Sequence, residues 1–199
     1  IERGLIIAVG ADVEVPDHAR VIDMQGKTIY PALIDSYSEV ELNQPAGDMA
    51  HWNKHIRPER NAATGWAGSA KQHAGYRKAG FGLRLIAPSD GILKGTSAVV
   101  TTADADSVTG VVAENVAQHL RLTSPRGASR RQYPNSPMGA VALARQTFYD
   151  ADWYDKAWTA YRHSTGTPRP ESNDALKAIS AAVDADELFI FDAPDEQYV

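Results

Sequence analysis

The sequence predicts an α/β chain, with a small β-rich part over residues 1–30 and a region of strands and helices over 31–199. Three observations lead there. Short β-branched runs crowd the N-terminal part, helical periodicity first enters at Trp66, and one long amphipathic pattern follows Ser136.

The elements are predicted in order. Gly4-Leu5-Ile6-Ile7-Ala8-Val9-Gly10 and Arg20-Val21-Ile22-Asp23-Met24 read as strands, with Gln25-Gly26-Lys27 as a turn. Thr28-Ile29-Tyr30 is extended until Pro31, which offers no amide donor to a ladder. Ala32-Leu33-Ile34-Asp35 is the first buried strand of a larger layer. Residues 41–65, rich in Asn, Pro, Gly and Ala, form an irregular segment. A helix is expected over 66–78, stopped by Gly80. A strand over 81–87 ends at the turn Pro88-Ser89-Asp90-Gly91. Further strands are expected over 96–102, 108–112 and 116–122. Ser136 caps a helix with Pro137 at its first position. Its periodic positions include Met138, Val141, Phe148, Tyr149, Trp153 and Tyr161, and the aromatic residues Phe148, Tyr149, Trp153, Trp158 and Tyr161 are expected to pack a core or a subunit contact. Asn173 caps a last helix through Val183, and residues 186–193 are strand-like.

Composition narrows the function classes. The formal net charge is -5 with a pI near 5.7, so nucleic acid is not expected as a partner. The densest basic stretch holds Arg121, Arg126, Arg130 and Arg131 among Pro, Gly and Ser, and reads as a loop rather than an anion site. With no cysteine there are no disulfides, thiolate metal sites or cysteine nucleophiles, and the compartment stays open. No apolar run approaches the roughly 20 residues of a membrane helix. The chain starts at Ile1 and stops just after a strand-like run, which reads as a processed or truncated polypeptide.

The segment Gly26-Lys27-Thr28-Ile29-Tyr30-Pro31-Ala32-Leu33-Ile34-Asp35-Ser36-Tyr37-Ser38-Glu39 resembles the signature of the amidohydrolase superfamily, Gly-Lys followed by Pro-Gly-Leu-Ile-Asp-x-His-x-His. Arg57-Pro58-Glu59, Ala79-Gly80-Phe81 and the run from Ala87 to Val100 are similar to its imidazolonepropionase-like branch. The resemblance implies a TIM-type barrel after the small β-rich domain. At 199 residues the chain holds only a partial one, since the full barrel takes roughly 250. The implied reaction is metal-dependent hydrolysis of non-peptide C–N bonds, as in cyclic amides, with Zn or Fe as the metal.

The departure matters more than the match. Residues two apart on a strand share a face, so the family's two histidines reach one metal. Here those positions are Tyr37 and Glu39. A phenol is a poor ligand at neutral pH, and one carboxylate does not make a site. Without a metal there is no water of lowered pKa to attack a carbonyl. No cofactor is therefore expected in this chain, and the implied hydrolysis is expected to be lost.

Other candidates are weaker. Asp35 is the one acid at the family's strand end; its alternative role is to accept backbone hydrogen bonds in the following turn. His51 and His55 have helical spacing, yet Pro45, Gly47 and Pro58 surround them and no Glu is placed as base, so they read as surface or loop histidines. His119 reads as a satisfied buried histidine, and His73 and His163 as solvent-facing on helices. Gly91, Lys94 and Gly95 fail the phosphate-loop pattern and read as a turn between strands. Ser36, Ser38 and Ser97 lack a nucleophile motif. Two functions follow: a degenerate or fragmentary amidohydrolase, or a non-catalytic assembly module that pairs with a second copy or with the remainder of its own polypeptide. Neither requires a membrane.

Overall fold

The computed structural model describes residues 1–2, 6–103, 110–124 and 132–193. The chain divides into two units, Ile1–Pro31 and Ala32–Val199.

In the first unit the predicted strands do not form. Residues 6–9, 20–24 and 28–30 belong to no strand, and Gly4 and Leu5 lie outside the described residues. The apolar side chains explain this. Ile6, Ile7, Val21, Ile22 and Ile29 are all exposed, so the runs have β propensity but do not bury their apolar side chains. The turn at Gly26 is present, with the Lys27 amide donating to Met24 O at 2.9 Å. Gly26 takes a φ of 77°, which L side chains rarely adopt.

The second unit is mixed α/β. Its first sheet contains β1 (Leu33–Val40), β2 (Phe81–Pro88), β4 (Ala98–Thr101) and β5 (Val111–Ala113), in the order β1-β2-β4-β5. Strands β1 and β2 are parallel, a pairing that needs a long crossover such as the one joining them. That connection holds α1 (Ala62–Gly65), inside the segment predicted to be irregular, and α2 (Ala70–Lys78). The second sheet is β3 (Leu93–Thr96), β6 (Gln118–Leu120) and β7 (Phe189–Phe191), in the order β3-β6-β7. Strands β6 and β7 are parallel and joined through α3 (Pro137–His163) and α4 (Asp174–Asp184). Among the described residues the two sheets do not close into a barrel.

The strand expected over 96–102 is instead two strands in different sheets. Ser97 marks the crossing. It is fully buried, its amide and hydroxyl both donate to Ala117 O, and its own carbonyl accepts from the Val116 amide. Those bonds satisfy the backbone where it leaves one ladder for the other. Of the strand expected over 108–112, residues 108 and 109 lie outside the described residues.

Helix α3 begins as predicted: Ser136 Oγ accepts from the Gly139 amide at 3.1 Å, with Pro137 in the first turn. Its buried face differs from the expected stripe. Ala140, Leu143, Ala144, Thr147, Ala151 and Tyr154 are buried, whereas Met138, Tyr149 and Trp153 are exposed. Small side chains let α3 approach the second sheet and α4 closely, while Tyr149 and Trp153 are left outside. Phe148 alone of the predicted ring stripe packs on this core, edge to face with Phe189 at 5.7 Å. Asn173 caps α4 through a bond from the Leu176 amide, and Ile179 is fully buried against α3. Burying a side chain of that size contributes roughly 1.5–3 kcal/mol. A second core, of Val40, Ala62, Trp66, Ile86 and Val100, lies against the first sheet.

Candidate functional site

The site grows from a backbone irregularity in β3. Register with β6 shifts between Leu93 and Gly95, so Lys94 is the extra residue of a bulge, a device that re-aims a side chain. Gly95 permits it: its φ is 109°, and a Cβ there would lie 2.5 Å from Arg60 O. Arg60 in turn donates from Nε to Lys94 O at 3.0 Å and pairs with Asp90 at 2.7 Å, bracing the turn before the strand. Lys94 is therefore neither in a turn nor exposed; it is fully buried in a strand.

Its ammonium meets the strand positions that the sequence singled out. Lys94 Nζ donates to Tyr37 Oη at 3.1 Å, to Glu39 Oε1 at 2.9 Å, and to Asp192 just past β7. Tyr37 Oη donates to Glu39 Oε1 at 3.2 Å, so residues 37 and 39 do share a face of β1. Arg121 closes the rim, bonding Glu39 and lying 3.7 Å from Asp192. His119 is fully buried, stacks on Tyr37 at 5.8 Å and has Nδ1 3.4 Å from Asp192 Oδ1. Its Nε2 has no partner, so this histidine is only half satisfied. A cavity of about 440 Å³ opens beside the cluster, lined by Tyr37, Arg121 and Asp192 together with Leu85 and Phe191.

The electrostatics are balanced: two carboxylates face two cations. Burial pushes the Asp192 carboxyl up, but hydrogen bonds from His119, Lys94 and Tyr37 outweigh it and hold the group down to about 2. Glu39 behaves alike, burial being outweighed by Lys94 and Arg121. Tyr37 moves the other way. Burial first, then the Asp192 and Glu39 charges, raise its phenol far above the usual value, so it stays protonated.

The remaining candidates do not join the Lys94 hydrogen bonds. Asp35 accepts from the Ser38 hydroxyl and the Tyr37 amide and lies 3.6 Å from Arg84 Nε. His51 and His55 sit in a loop, not on a helix. His51 is buried rather than at the surface, its Nδ1 accepting from the Asn53 amide, and burial lowers its pKa. His73 is also buried, against expectation, wedged beside Trp66 with Nδ1 3.0 Å from Ala103 O. His163 is exposed on α3. Ser36 lines the cavity, and Ser97 is occupied at the sheet crossing. Of the basic stretch, Arg121 bonds carboxylates rather than offering itself to an anion; Arg126, Arg130 and Arg131 lie outside the described residues.

Lys94 and Asp192 are the site residues that the sequence reading missed. The available signal was Gly91-Ile92-Leu93-Lys94-Gly95, a lone charge between apolar residues and a glycine. Asp192 directly follows the apolar run of β7 in the same manner.

This architecture has a solved counterpart. The chain superposes on an amidohydrolase from Thermotoga maritima MSB8 with a TM-score of 0.71 at 19% identity, over 96% of this chain and 51% of that one. The fold is amidohydrolase-like. The chain spans about half the length of that protein. No family model and no curated protein matches the sequence.

Proposed function

We propose that this chain is an amidohydrolase-superfamily member of the imidazolonepropionase-like kind, carrying the opening β/α units of a TIM-type barrel. In this reading β1 is the first barrel strand, and Tyr37 and Glu39 occupy the places of the family's paired histidines. The reading is supported by the fold likeness and by the signature around Pro31.

One observation carries the functional half. The ammonium of Lys94 is hydrogen-bonded to both residue 37 and residue 39. A metal ion bound to those side chains would sit within a few ångströms of a buried positive charge, where like charges repel strongly. The phenol of Tyr37 also keeps its proton. The residues present do not fit the family's zinc or iron. The ancestral reaction, hydrolysis of non-peptide C–N bonds, is absent from this chain. Metal analysis of the purified protein, with turnover assays on cyclic amides, tests this. One equivalent of Zn²⁺ or Fe²⁺ together with turnover would overturn it.

A second reading is favoured by the exposed face of α3. Met138, Tyr149 and Trp153 stand in solvent at 81%, 62% and 63% exposure, large side chains available for assembly with another copy or with more of the same polypeptide. Light scattering decides between them, because a strict monomer at high concentration removes the self-assembly form of this reading.

A further inference from the structure

We propose that Lys94 is a built-in cation clasping the two sheets, and that replacing it with an uncharged side chain turns the cluster into a divalent-cation site held by Glu39 and Asp192. The inference rests on the metal-free reading above and deepens it by assigning the metal's structural task to a side chain.

The geometry supports this from three directions. First, the two carboxylates belong to different layers: Glu39 lies on β1 of the first sheet, and Asp192 follows β7 of the second. Lys94 bonds both, which makes it a tie between elements 55 and 98 residues away in sequence. Second, the ammonium is fully buried while Arg121, the other cation, lies toward the rim with its side chain 22% exposed. Arg121 alone cannot neutralise both acids from there. Third, the strand is deformed to deliver the charge, through the bulge at Lys94 and the positive φ of Gly95. Methionine has nearly the same length as lysine without the charge. Lys94→Met therefore leaves two facing carboxylates short of one positive charge, and carboxylate oxygens are the ligands that hard divalent cations prefer.

The test uses the 199-residue chain and follows thermal unfolding with and without millimolar Mn²⁺, and separately with EDTA. Binding is read from the loss of the free Mn²⁺ paramagnetic signal. For the unaltered chain, neither Mn²⁺ nor EDTA is expected to move the midpoint. For Lys94→Met the midpoint falls, Mn²⁺ recovers at least half of the loss, and one equivalent is bound. Should Lys94→Met not fold on its own, refolding yield in Mn²⁺ against EDTA gives the same reading. Lys94→Met combined with Glu39→Gln and Asp192→Asn then folds without any response to cations. Tight metal binding by the unaltered chain would overturn both the metal-free reading and the clasp. A metal-free chain whose Lys94→Met variant ignores Mn²⁺ in both unfolding and refolding overturns the clasp alone.

Discussion

Lys94 Nζ lies 2.9 Å from Glu39 Oε1, although the residues are 55 apart in sequence and belong to different sheets. Only one end of the pair is buried: Lys94 is fully enclosed while the Glu39 side chain is 26% exposed, so removing the acid would leave the enclosed ammonium short of an acceptor. Its energetics therefore surface when the charges are titrated or cut one at a time.

Acid should expose them first. The Asp192 carboxyl is held at about 2 in the folded chain, below its ordinary 3.8, and Glu39 is also lowered. A depressed folded value stabilises the protein above the unfolded value. That stability is lost as pH falls from about 4 towards 2, and amounts to about 2 kcal/mol for Asp192. Chemical denaturation at a series of pH values should show this decline, and Asp192→Asn should flatten it. An equally steep decline in the variant would assign the effect elsewhere.

Backbone strain gives a second expectation. Gly95→Ala forces a side chain into a φ of 109° and against Arg60 O. A loss of at least 1–3 kcal/mol is expected, roughly the cost of such a conformation before the clash is counted. Denaturant midpoints measure it directly.

The two faces of α3 and its neighbour should respond differently. Ile179→Ala removes a fully buried side chain from the α3–α4 core and should cost about 2–5 kcal/mol. Trp153→Ala, on the exposed face, should stay within about 0.5 kcal/mol in the monomer. Equal losses at both positions would mean that α3 is turned the other way.

Under the proposed reading, placing histidines at residues 37 and 39 should not be enough to create a metal site. The double change Tyr37→His with Glu39→His keeps the Lys94 ammonium between the new imidazoles and Asp192. Calorimetric titration is expected to show tight Zn²⁺ binding only when Lys94→Met is added. Tight binding by the double variant alone would show that the ammonium can move aside.

Much of the second unit was legible in the residues. Local signals gave the starts of α3 and α4, since Ser136 and Asn173 each cap with their own side chain. The family resemblance also located residues 37 and 39 on one strand face. Three features were not legible, each because it depends on distant partners. Residues 6–9 and 20–24 have β propensity but lack a neighbouring strand in the structure, and propensity alone does not make a ladder. The stripe on α3 was read by size, whereas burial followed the small residues Ala140, Ala144 and Ala151. Lys94 looked like a turn residue because its acidic partners come from residues 39 and 192.

The bulge that turns Lys94 inward fixes the positive charge of the cluster to the backbone itself. A charge carried on a covalent tether is never diluted away, stripped by a chelator or mistaken for a competing ion. The cluster is thus complete as soon as the polypeptide folds. With Tyr37, Glu39 and Asp192 all accepting from it, the ammonium has its three donors engaged.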